Sequence, residues 1–81
     1  MYVQLIYDKR NVAGIQNASE LIRDELERRV HRIFPGAEVK VKPMMSNSSI
    51  NTDASKHDKA RIQTILEDMF EEADMWLVNE D

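Results

Sequence analysis

The chain has 81 residues, a formal net charge of −4, 42% hydrophobic and 32% charged residues, and no cysteine. At this length one domain, residues 1–81, is expected; it buries only about 60% of its unfolded surface, so a deep catalytic pocket would compete with the core for the same side chains. Without cysteine a disulfide framework, a thiolate zinc site and a cysteine nucleophile are excluded; no apolar run nears the ~20 residues that span a bilayer, and the start lacks the basic region and cleavage site of a signal peptide, so a cytoplasmic location is expected.

Residues 2–7 alternate, with Val3, Leu5 and Tyr7 on one side and Gln4, followed by Asp8, on the other; this predicts a first strand. Lys9 to Gln16 contains Gly14, has no periodicity and reads as a loop. Asn17-Ala18-Ser19-Glu20 resembles a helix start in which Asn17 caps a backbone N–H. Ala18, Leu21, Ile22, Leu26, Val30 and Ile33 then recur at helical spacing, with Phe34 packing at the end of that face, and Pro35-Gly36 stops the helix. Glu38 to Lys42 alternates strictly, with Val39 and Val41 inward and charges outward, a strand with one wet face that Pro43 ends or marks as an edge. Met44 to Asn51 is polar and Ser/Asn-rich, a wide turn leading to a short third strand around Ile50.

The last helix carries the strongest pattern. Ser55 and Asp58 form a capping start, and Ile62, Ile65, Leu66, Met69, Phe70, Ala73, Trp76 and Leu77 follow at helical spacing. At 100° per residue they fall within a stripe roughly 140° wide. The order β-α-β-β-α, with one wet sheet face, predicts an α+β fold of two layers: a small three-stranded sheet with both helices packed on one face.

Charge is unevenly distributed. Residues 67–81 hold seven acids and no Lys or Arg, which leaves 8 acids against 11 bases in residues 1–66, a net of +3. On a continuous helix Glu67, Asp68, Glu71 and Asp74 lie between about 120° and 240° from Ile62, opposite the apolar stripe, with Glu72 at its border. Glu80 and Asp81 prolong this surface. The placement opposes the helix dipole, which favours acids at the start and bases at the end; here Lys56, Lys59 and Arg61 stand near the start. Each misplaced charge costs about 0.3–1 kcal/mol at low salt. An acidic face can serve solubility alone. The sharper reading is a surface for a basic protein partner, formed by Glu67, Asp68, Glu71, Glu72, Asp74, Met75 and Glu80, with Met75 giving an apolar contact and Trp76 belonging to the core. Such a face repels nucleic acid, so no direct nucleic-acid binding is expected through it.

Other groups are weaker candidates. Arg28, Arg29, Arg32, Lys40 and Lys42 read more simply as solvated faces than as a basic patch. His31 and His57 are isolated and read as surface residues. Glu67, Asp68, Glu71 and Glu72 would make only a loose divalent-ion site on one helix. Paired carboxylates do acid–base chemistry in a cleft, which an outer helix face does not offer. No phosphate loop, nucleophile elbow or zinc-protease motif occurs. No enzyme activity, metal, cofactor or membrane partner is expected, and a monomer fits the soluble surface.

Glu25-Leu26-x-Arg28-Arg29-Val30, Phe34-Pro35, Ser55-Lys56-x-Asp58-Lys59-x-Arg61-Ile62, Ile65-Leu66 and Glu71-x-Ala73-Asp74-x-Trp76 together resemble the DinI-like family of DNA-damage-inducible proteins. The likeness covers nearly the whole chain, and the block from Asp58 to Trp76 is its specific part. Met1 to Arg10, Val39 to Pro43 and Glu71 to Val78 resemble in particular a virulence-protein branch of that family. The resemblance implies two helices on a small mixed sheet. It also implies a role in the SOS response through binding of the RecA–single-stranded-DNA filament, with an acidic ridge on the last helix contacting RecA. By position Asp68, Glu71, Asp74 and Glu80 match acidic family positions, Glu67 and Glu72 add acids beyond the match, and Met75 departs from an acidic residue. The departure leaves a virulence or stress adaptor with a different basic protein partner as the alternative.

Overall fold

The computed structural model describes residues 1–12, 14–45 and 47–77. Strand β1 (Tyr2–Asp8) is central in a three-stranded sheet of order β2-β1-β3, parallel to β2 (Glu38–Met44) and antiparallel to β3 (Ser49–Thr52). The sheet is therefore mixed, with helix α1 (Ala18–His31) as the crossover between the parallel strands and α2 (Lys56–Glu71) following β3. This is the expected α+β order β-α-β-β-α.

The period of two along β1 decides which face is covered. Val3, Leu5 and Tyr7 are buried, and Val39 stands beside Val3 on β2. They join Ile22, Leu26 and Val30 of α1 and Ile62, Ile65 and Met69 of α2 in one core. Gln4 pairs with exposed Lys40 and exposed Asn51 on the open face. Pro43 lies within β2, as the expected edge strand permits: a residue without an N–H costs no ladder bond on a free side. The third strand around Ile50 stands where the polar turn leads.

Three local expectations differ. The segment after β1 is not structureless: Lys9–Val12 forms a 3-10 turn that carries Val12 into the core. Asp8 does not point into water but is 8% exposed. Asn17 precedes α1 without capping it through its side chain. Its backbone is left-handed, φ 58° and ψ 28°, whereas a capping side chain needs extended backbone to reach back to the first-turn N–H groups. Asn is one of the few residues other than glycine that tolerate this region.

Helix α1 ends at His31, before the proline. The N–H groups of Ile33 and Phe34 both donate to the Val30 carbonyl at 3.0 and 2.7 Å, a tightened last turn. Ile33 thereby leaves the helical period and is 38% exposed, against the expectation that it joins the apolar face. Phe34 stays half-buried against the core, with the Arg61 guanidinium 5.5 Å from its ring centre. Gly36, at φ 85°, makes the turn into β2.

Helix α2 begins as expected: Ser55 is extended and its hydroxyl accepts from the Asp58 N–H at 3.2 Å. It does not run through to Leu77. It stops at Glu71, turns at Glu72 (φ −97°, ψ 17°) and resumes as a single turn, α3 (Ala73–Trp76). The break lets Trp76 fold back, so that its indole N–H donates to the Met69 carbonyl at 2.7 Å. That carbonyl belongs to the last turn of α2, which has no intrahelical partner of its own. Trp76 and Leu77 are half-buried against the core, whereas Phe70, expected inside, is 37% exposed.

Candidate interaction surface

The helix break redistributes the acidic residues. Glu67, Asp68 and Glu71 are exposed on the last two turns of α2, Glu72 occupies the turn, and Asp74 and Met75 lie exposed on α3. Met75 is 76% exposed. Glu80 and Asp81 lie outside the described residues. One unbroken ridge on one helix is thus replaced by an acidic end of α2 and a short acidic turn beyond it.

The last turn of α2 has no basic residue of its own. The charge that offsets it comes from α1. Arg29 donates through Nε to Glu25 Oε2 at 2.6 Å and lies through Nη1 2.9 Å from Glu72 Oε1. Its side chain is 20% exposed and that of Glu25 only 8%. The hydrogen bond to Glu25 raises the Arg29 pKa, partial burial opposes this, and Glu72 reinforces it. Arg28 adds a second contact to Glu25 at 2.9 Å. Arg29 is therefore not on a solvated face, contrary to the sequence reading; it ties α1 to the turn that ends α2. Arg28, Arg32, Lys40 and Lys42 are exposed as expected.

Arg29, Asp68, Glu71 and Glu72 line one shallow polar depression of about 490 Å³. Glu67 faces elsewhere, along a groove between α2 and β3. The structure thus groups Asp68, Glu71 and Glu72 around Arg29 and separates Glu67, Asp74 and Met75 from them. Glu72 is engaged within the chain by Arg29, with its side chain 50% exposed. Sequence reasoning missed the Glu25–Arg29 pair, although its i,i+4 spacing is the signal for such a bridge.

His57 is exposed beside Asp58, while His31 is half-buried with Nε2 2.7 Å from the Ala37 carbonyl oxygen. Among the described residues no three His, Asp or Glu side chains are grouped so as to hold a metal ion. Among them, too, no helix is long and apolar enough to cross a membrane.

Comparison with known proteins places these features in a family. The DinI-like family model matches residues 15–77, which include α1, β2, β3, α2 and α3. Virulence protein MsgA of Salmonella typhimurium is 58% identical over 80 residues, covering 99% of this chain and all of its own. DNA damage-inducible protein I of Escherichia coli is 38% identical over 65 residues, 78% of this chain and 80% of its own.

Proposed function

The chain belongs to the DinI-like family, and from that membership and its acidic surface we propose a non-enzymatic regulator of the SOS DNA-damage response. As a single DinI-like domain, residues 1–81, it binds the RecA–single-stranded-DNA filament and modulates its activity. The observation that carries this reading is the acidic end of α2, exposed and free of its own basic residues. Glu67, Asp68, Glu71, Asp74, Met75 and Glu80 form the contact, with Glu72 holding the α2 end in place through Arg29. The protein acts as a cytoplasmic monomer without cofactor or metal. Its acidic face excludes nucleic acid by like charge, so the partner is the protein component of the filament.

Co-sedimentation with RecA filaments tests this. The wild-type chain pellets with filaments at low salt and is released as salt shortens the Debye length from about 10 Å at 0.1 M to about 3 Å at 1 M. The triple substitution Asp68→Lys, Glu71→Lys and Asp74→Lys, which leaves Glu72 itself unchanged, weakens binding at least about tenfold. Wild type that stays in the supernatant, or a triple variant that binds as wild type does, refutes the proposal. A second reading is favoured by the relative named as a virulence protein and by Met75 among the acids: an adaptor for a different basic protein. An unbiased pull-down that recovers RecA as the main partner counts against it.

A further inference from the structure

The acidic surface borders an apolar furrow that the charge pattern did not foretell. Phe70 was expected in the core, yet it is 37% exposed. On one side of its ring a groove of about 410 Å³ runs between α2 and β3, walled by Leu66 and Ile50 and edged by Glu67. On the other side a second hollow of about 420 Å³ continues toward Ala73 and Leu77. Phe70 and Ser48 line both, so the two hollows adjoin at the aromatic ring, and the furrow denotes the two together. The ring neighbours that of Trp76, with centroids 6.2 Å apart and planes tilted by 53°.

We propose that this furrow receives a large apolar side chain of the partner protein, flanked in the partner by Lys or Arg. The inference rests on the reading of the acidic surface as a docking face for a basic protein. Charge complementarity selects that occupant. Glu67 stands in the furrow wall, so a basic residue beside an inserted side chain meets a carboxylate there while an acidic one is repelled. An aromatic ring in a partly desolvated groove next to charged rim residues has the anatomy of an interface centre. The acids steer the encounter and the furrow fixes the register.

The test uses the full chain, labelled for NMR, and two defined probes: the blocked peptides Lys-Lys-Leu-Lys-Lys and Lys-Lys-Ser-Lys-Lys. Both peptides shift the amides around Glu67 at low salt. Only the leucine peptide shifts Ile50, the Leu66 methyls and the Phe70 ring, and it binds about tenfold more tightly. Ser48→Trp, which fills the furrow from its exposed rim, removes that difference. Equal affinities, or leucine-specific shifts outside the furrow, overturn the proposal. So does a difference seen only after deletion of residues 78–81, because the chain's own end then fills the furrow. Furrow shifts that depend on protein concentration alone overturn it in favour of a second copy. None of these measurements involves the filament. Loss of filament binding with peptide discrimination intact removes the RecA reading alone, and the converse removes the furrow alone.

Discussion

Asp8 closes the central strand on the face where water was expected, and it stays charged there because Arg10 wraps back on it. The Arg10 guanidinium donates to both carboxylate oxygens, through Nε at 2.9 and 3.1 Å and through Nη2 at 2.6 Å, and the Arg10 backbone N–H adds a bond at 3.0 Å. These bonds, the side-chain ones foremost, hold the carboxyl at about 2, against an opposing push from burial. A carboxylate whose pKa falls on folding stabilises the native state above its unfolded pKa, near 3.8 here, and that contribution disappears as pH falls through about 2. Thermal melts of wild type and Asp8→Asn from pH 6 to pH 2 check this. Wild type is the more stable at pH 6, and the gap narrows between pH 4 and pH 2; a gap independent of pH contradicts the assignment.

At the scale of the element, the end of α2 is decided by one side chain. The apolar spacing from Ile62 to Leu77 permits a continuous helix, and the chain breaks at Glu72 instead. In the broken form the Met69 carbonyl receives the Trp76 indole N–H and Leu77 remains against the core. A continuous helix would extend the run of acids at its negative end. Trp76→Phe keeps the ring and removes the donor. The expected loss is about 1 kcal/mol, which for a domain of this size lowers Tm by about 4–8 °C. Far-UV circular dichroism follows the unfolding, and amide exchange at 73–77 rises more than in α1. A uniform rise in exchange across both helices would show that the indole bond does not secure α3 in particular.

For the whole molecule, Arg29 ties α1 to the turn that ends α2 and sets the charge balance of the acidic end. Its neighbours make the contrast informative. Arg28 touches the same Glu25 but is 62% exposed, whereas Arg29 is 20% exposed and also reaches Glu72. Arg29→Gln leaves the largely buried Glu25 with one exposed partner and Glu72 with none from α1. The expected loss is about 1.5–3 kcal/mol, the range for hydrogen bonds to charged groups. Arg28→Gln costs under about 1 kcal/mol, as exposed ion pairs do. Urea denaturation of the two variants measures the difference, and equal losses would place the support of α2 elsewhere.

The period of two in Val3, Leu5 and Tyr7, the helical stripe through Ile22, Leu26 and Val30, and the Ser55 cap are local signals. Each depends on side-chain direction and backbone hydrogen bonds within a few residues, and they determine the strands, the helices, the buried sheet face and the acidity of the α2 end. Other features depend on partners distant in the chain. Phe70 obeys the same stripe as Met69 yet is left at the surface, because β3 and α2 part there into a furrow. Arg29 looks like any solvated arginine until Glu72 arrives beside it. The acidic end was determined by sequence because charge count and helical spacing are additive along the chain. Its division into a pocket around Arg29, a furrow wall at Glu67 and an exposed turn at Asp74 and Met75 was decided only by tertiary packing. Packing fixes the distances between charges, which composition and periodicity leave open.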